Sequence, residues 1–166
     1  FEDMTMRDNS PNELYADLYV AGIPCQPFSL SGKRLGELDP RGLLFYNFYD
    51  YVKKQKPKYF IIENVLGLLS SNSGKTFQTW LSLLSETVNG QYSMPHEDSL
   101  LYNVHHAVLN SKDFDVPQSR ERVFIVGIRN DLPNTFKFTK TNLTTKTLGD
   151  VLENDVNDKY FFSDKM

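Results

Sequence analysis

Cys25, Glu63 and a pair of arginines at 120 and 122 are the residues of this chain whose types and settings suit chemistry. Cys25 is the only cysteine among 166 residues and lies in Gly-Ile-Pro-Cys-Gln-Pro-Phe-Ser (22–29), directly after a strand-like run. A cysteine inside an apolar element is usually an inert packing residue. One at a strand end, between stiffening prolines, suits a partly exposed thiolate nucleophile. Glu63 lies in Ile-Ile-Glu-Asn-Val (61–65), where a carboxyl and the amide of Asn64 can address donors and acceptors on one substrate edge. In Gln-Ser-Arg-Glu-Arg-Val-Phe (118–124), strand alternation puts Arg120 and Arg122 on one face, able to hold a carboxylate, carbonyl oxygen or phosphate. A cysteine nucleophile beside a carboxyl acid suits addition to an electron-poor ring or carbonyl. No Cys-His pairing of the protease kind is evident: His96 lies in a loop, and His105 and His106 in a strand.

These groups need a frame that brings them together. Asp17–Gly22 reads as a buried strand ending in a glycine turn, and Ser29–Arg41 as a long surface loop. Gly42–Gln55 carries Leu44, Phe45, Phe48, Tyr51 and Val52 at helical spacing, and Lys53–Lys58, with Pro57, ends that helix. Lys58–Glu63 reads as a second buried strand. A Ser/Asn/Gly loop (70–74) precedes a helix from Lys75 to Val88, with Phe77, Trp80, Leu81, Leu84 and Val88 on its apolar face. Residues 89–100 read as an irregular loop, and Tyr102–Leu109 and Val123–Arg129 as strands. A polar tail follows from Asn130, with a short helix at Leu148–Glu153. Helix-bearing crossovers imply parallel strands and hence part of an open α/β sheet, in which reactive groups collect at the carboxyl ends of strands. If the first two strands are adjacent and parallel, Cys25 and Glu63 share one rim.

Composition bounds the partners. With 18 basic against 21 acidic residues, net charge −3, a nucleic-acid contact must come from a local patch or from parts outside this chain. One cysteine excludes internal disulfides and multi-cysteine zinc sites, fits a reducing intracellular compartment, and leaves no metal site expected. No apolar run approaches the roughly 18 residues of a membrane span. The lysines at 53–58 read as a solvated helix end, Trp80 as core, and His105 and His106 as structural.

The strings Pro-Cys-Gln-Pro-Phe-Ser, Glu-Asn-Val and Gln-Ser-Arg-Glu-Arg, in this order and at these separations, resemble the catalytic motifs of the DNA (cytosine-5)-methyltransferases over about residues 3 to 129. The resemblance implies a Rossmann-like, S-adenosylmethionine-dependent methyltransferase fold, of which this chain is a central part. It implies double-stranded DNA as partner, with the target cytosine flipped into a pocket. It makes Cys25 the nucleophile at carbon 6, Glu63 the group on ring nitrogen 3, Arg122 the contact to the cytosine carbonyl and Arg120 a support for phosphate or loop. It places Gln26, Ser29, Ser31, Asn64, Val65 and Gln118 with the substrate, and Asp3, Pro24 and Leu44 with the cofactor.

The departures from the family pattern also shape the expectation. The family's Gly-rich cofactor turn is not found before Cys25, and the chain starts at Phe1 without an initiator Met, so a fragment or a split subunit lacking an N-terminal segment is expected. Residues 1–129 then form a partial catalytic domain, and 130–166 lead towards a target-recognition domain. The strand at Asp17–Gly22 is left as an apolar edge. Residues 90–102 have no assigned role. A tRNA-methylating relative is the rival enzyme, disfavoured because its Cys-Phe-Thr string is not found after Glu-Asn-Val. A non-catalytic regulatory homologue is the rival of another class.

Overall fold

The computed structural model describes residues 15–23, 44–139, 146–157 and 160. The chain divides into two compact units, one of residues 1–109 and 121–139, the other of 110–120 and 140–166. The first unit is built on a six-stranded mixed sheet. Its elements are β1 (Leu18–Gly22), α1 (Leu44–Gln55), β2 (Tyr59–Val65), a 3-10 segment (Leu66–Gly74), α2 (Lys75–Leu84), β3 (Ser85–Val88), β4 (Gln91–Tyr92), β5 (Tyr102–Asn110) and β6 (Glu121–Ile128). The strand order is β1-β2-β6-β5-β3-β4.

β1 and β2 are adjacent and parallel, in register from Leu18 opposite Tyr59 to Gly22 opposite Glu63. This is the arrangement expected of a strand pair joined through a helix. The second crossover does not extend it. The other neighbour of β2 is β6, which runs antiparallel to it from Tyr59 opposite Ile128 to Val65 opposite Arg122. β6 carries the run Val-Phe-Ile-Val-Gly-Ile, and burial on both sides draws such a run to the centre of a sheet. The strand that follows α2 is β3, which pairs in parallel with β5 at a distance from β2.

Both helices cover one face of the sheet. Phe45, Phe48, Tyr51 and Val52 of α1 are buried, as their spacing predicts. Tyr19 of β1 stacks on Tyr51 with ring centroids 4.1 Å apart, Phe48 meets Phe60 of β2 edge-on at 5.4 Å, and Phe45 stacks on Trp80 of α2 at 4.1 Å. Gly127 of β6 makes room for this aromatic layer: a Cβ there would lie 2.1 Å from the ring of Phe60, its partner across the ladder. α1 stops at Lys56, whose φ of 47° is left-handed, and Pro57 follows. Lys53 and Lys54 sit in its last turn, where cations favour the helix dipole.

Several sequence expectations are corrected. Among the described residues β1 is the edge strand, as expected, but it is not buried: Leu18 is 49% and Val20 60% exposed, because the helices pack on the side of Tyr19 and Ala21. α2 ends at Leu84, where Ser85 Oγ donates to Leu81 O at 2.7 Å; Ser85–Val88 is extended. Residues 89–100 are not wholly irregular. Asn89 and Gly90, at φ 51° and 82°, make a two-residue turn into β4. Asn-Gly is the strongest short-range hairpin signal, and it was legible in the sequence. The loop expected at 70–74 does stand: Ser71, Asn72 and Ser73 depart from helical geometry, Asn72 and Ser73 at φ of 48° and 55°, between the 3-10 turns and α2. The expected helix at 148–153 is a single 3-10 turn, Leu148–Asp150, held by a reciprocal Thr147–Asp150 capping box.

Candidate active site

Glu63 does not end β2; the strand continues to Val65, so Glu63 stands two residues inside its end, opposite the last residue of β1. Pleating turns Glu63 and Val65 to the face away from α1, together with Arg122 and Phe124 of β6. Arg122 lies directly opposite Val65 and diagonally from Glu63, within reach of a long side chain. Its Nε donates to Oε1 of Glu63 at 2.9 Å, and one terminal nitrogen donates to Glu121 O at 2.7 Å. Both side chains are partly open to solvent, 36% for Glu63 and 22% for Arg122. A guanidinium has five N–H donors, so these two bonds leave it able to hold a further acceptor.

Gly22 ends β1 opposite Glu63. A Cβ on Gly22 would lie 3.9 Å from Glu63 Oε2, so the carboxylate sits beside the backbone from which Ile23, Pro24 and Cys25 follow in sequence. The rim that pairs the end of β1 with Glu63 is therefore formed as the sequence suggested.

Asn64 is a correction. It alternates to the opposite face of β2, joins Phe60 and Ile62, and is fully buried. Its side chain and that of Glu63 therefore point to opposite faces of the sheet, rather than to one shared edge. Arg120 is another: β6 begins at Glu121, so strand alternation does not extend to it. Arg120 and Gln118 belong to the second unit. There the buried side chain of Asn110 braces their loop. Its Oδ1 accepts from Lys112 N at 3.2 Å and Arg120 N at 3.1 Å, and its Nδ2 donates to Ser119 Oγ at 3.3 Å. Sequence reading passed over Asn110; its place between a strand and a Ser/Asp/Pro-rich loop is the available signal.

Cys25, Gln26, Ser29, Ser31, Asp3 and Pro24 lie outside the described residues. Of the cofactor candidates only Leu44 is described, half-buried at the start of α1, just before the fully buried Phe45. One apolar side chain fits a wall of an S-adenosylmethionine site and supplies no acid for its ribose.

At the other end of the sheet is a cavity of about 440 Å³, walled by Lys53, Lys56, Glu97, Asp98, Leu101 and Arg129. It places part of the 90–102 segment far from the rim of Glu63 and Arg122, since Tyr59 and Ile128 begin and end their strands on that side. Among the described residues His96, Glu97 and Asp98 bring ligand-type atoms within 4.8 Å of one another, all exposed; His96 Nδ1 already accepts from Asp98 N at 3.0 Å. No helix among the described residues is long and apolar enough to cross a membrane.

The family model for C-5 cytosine-specific DNA methylases matches residues 1–166. This chain belongs to that family. It is 41% identical over 152 residues to the Type II methyltransferase M.NgoBI of Neisseria gonorrhoeae, covering 90% of this chain and 43% of that protein. It is 40% identical over 164 residues to the Type II methyltransferase M.HaeII of Haemophilus aegyptius, covering 97% of this chain and 47% of the relative. The chain thus spans less than half the length of these relatives. Among solved structures, the Entamoeba histolytica methyltransferase EhMeth superposes with a TM-score of 0.60 at 20% identity, over 89% of this chain and 42% of that one. A Spodoptera frugiperda DNMT2 gives 0.56 at 24% identity, over 86% and 41%. These likenesses establish the Rossmann-like methyltransferase fold.

Proposed function

We propose that the protein containing this chain transfers a methyl group from S-adenosylmethionine to carbon 5 of cytosine in DNA, through a covalent adduct of Cys25. The observation that carries the reading is the Glu63–Arg122 pair at the rim where β1 leads, through Ile23 and Pro24, to Cys25. Family membership and the named Type II methyltransferases support it.

The chemistry follows from what each group can do. The target base is taken out of the duplex so that its edges can be reached. The Cys25 thiolate forms a bond to carbon 6, which moves electron density onto carbon 5. The Glu63 carboxyl holds ring nitrogen 3 and shares a proton with it, drawing off the charge that the addition places on the ring. Arg122 keeps one N–H on Glu63 and offers another to the cytosine carbonyl oxygen. S-adenosylmethionine, when bound, supplies the methyl group for carbon 5; Leu44, with Asp3 and Pro24, would hold it. Loss of the carbon-5 proton to solvent then re-forms the double bond between carbons 5 and 6 as sulfur leaves as the Cys25 thiolate, and nitrogen 3 returns its proton to Glu63. Gln26, Ser29 and Ser31 would meet the DNA backbone, Val65 the base, and Gln118 and Arg120 the phosphate or the neighbouring loop. Residues 1–129 would be the central part of the catalytic domain, and 130–166 the approach to a target-recognition domain.

In the full-length enzyme Cys25→Ala should abolish methyl transfer while DNA binding persists. DNA carrying 5-fluorocytosine should cross-link to the wild type and not to this variant. Retained turnover in Cys25→Ala would overturn the mechanism.

A further inference from the structure

Gly22 occupies a strand position where the fold has no need of a glycine. Gly74 and Gly90 sit at left-handed φ, which strains any side chain. Gly127 faces the ring of Phe60 so closely that no Cβ fits. Gly22 has neither reason. It lies in strand β1 outside the left-handed region and is exposed. Beyond its chain neighbours, the one described heavy atom within 4 Å of a Cβ built on it is Glu63 Oε2, at 3.9 Å, an ordinary contact. Within a strand glycine is less favourable than alanine, and it marks a place where a ligand or another backbone comes close. The described neighbour on this face is a carboxylate and not a backbone, which leaves the ligand.

The row of residues across the sheet says which part of the ligand. Gly22, Glu63 and Phe124 are partners in one line across β1, β2 and β6. The β6 side of the carboxylate is taken: Arg122 Nε donates to Oε1, and the half-buried Phe124 stands opposite. The β1 side is bare. Leu18 and Val20 carry side chains on this face of β1, and the side chain disappears at the row of the acid. The edge of cytosine presents three groups in fixed order: the carbonyl oxygen at carbon 2, ring nitrogen 3 and the amino group at carbon 4. With the carbonyl on Arg122 of β6 and nitrogen 3 on Glu63 of β2, the amino group falls to the third strand, at Gly22.

We propose that Gly22 is a specificity-determining residue that seats the 4-amino group of the flipped cytosine. Its bare α-carbon leaves room for that group beside Glu63 Oε2, which lets nitrogen 3 come within hydrogen-bond distance of the carboxyl. A methyl group on residue 22 fills this space and holds the ring off the acid. The inference rests on the reading of Glu63 and Arg122 as the groups that hold the base edge.

The test uses the full-length enzyme and two DNA traps, both with fluorine at carbon 5 of the target base. One carries 5-fluorocytosine; the other carries its analogue with hydrogen in place of the 4-amino group. Adduct formation is followed on each in a single turnover. Gly22→Ala should trap 5-fluorocytosine about 10²-fold more slowly than the wild type. It should trap the analogue at close to the wild-type rate, because that ring has no group to meet the methyl. Its melting temperature should be no lower than that of the wild type, since alanine fits the extended backbone at least as well. An unchanged rate on 5-fluorocytosine overturns the proposal, and so does equal slowing on both traps. A Gly22→Ala that melts lower or fails to fold also overturns it, because the fold is then what requires the glycine. The underlying reading fails separately: Glu63→Gln that traps 5-fluorocytosine at the wild-type rate rejects the acid whatever Gly22 does.

Discussion

Arg122 and Glu63 meet at 2.9 Å across two antiparallel strands, with Arg122 opposite Val65 and therefore diagonal to Glu63. The two charges are thus held together by a ladder whose register is set elsewhere, by the buried pairs Ile62–Ile125 and Asn64–Val123. The ion pair is open enough to solvent that it adds little to folding, about 0–1 kcal/mol.

Glu63→Gln therefore separates function from stability. It should lower the methyl-transfer rate of the full-length enzyme by about 10²–10⁴-fold, as expected for loss of acid assistance. Thermal melting should move by no more than the small value of an exposed pair. An unchanged rate would make Glu63 structural.

Gly127 leaves no room for a side chain against the aromatic layer. Phe60 lies across it and also packs against Phe48 and Tyr102, with centroids at 5.4 and 5.1 Å, so the ring has nowhere to retreat. Gly127→Ala should destabilise the fold by about 1–3 kcal/mol through overpacking. Adding Phe60→Leu should recover part of that loss, a coupling readable in a double-mutant cycle of urea melts. Strictly additive effects would mean that the two residues do not share the space.

His106 gives the fold a pH dependence. Its ring meets Phe77 edge-on at 5.1 Å, and burial holds its pKa below the ordinary value near 6.5. The unfolded chain binds a proton near that value while the folded chain resists it. The stabilisation is therefore full above the unfolded pKa and is lost as pH falls through it. Melts between about pH 7.5 and 5.5 should show stability declining, and His106→Gln should flatten the curve. An identical slope in the variant would place the proton uptake on another group.

The helical spacing of Phe45, Phe48, Tyr51 and Val52, the apolar run from Val123 to Ile128, and the placing of Glu63 at the β1–β2 rim were all legible in the amino-acid order. Each depends on a periodicity or a connection that is local, and a local pattern survives whatever the rest of the chain does. The parallel pairing of β1 with β2 followed from one helical crossover. The Asn89-Gly90 turn was equally local and was passed over.

Tertiary structure alone decided that β6 inserts beside β2. Strand order follows from which runs can bury both faces at once, a comparison made across the whole sheet. That insertion is what brings Arg122 to Glu63, and no spacing along the chain encodes it. It also turned Asn64 away from Glu63: adjacency in sequence means opposite faces in a strand, so a motif written as Glu-Asn-Val divides into a solvent-facing acid and a buried amide. β1 shows the same division, since its composition fits a buried strand and only the packing of both helices on one side left Leu18 and Val20 bare.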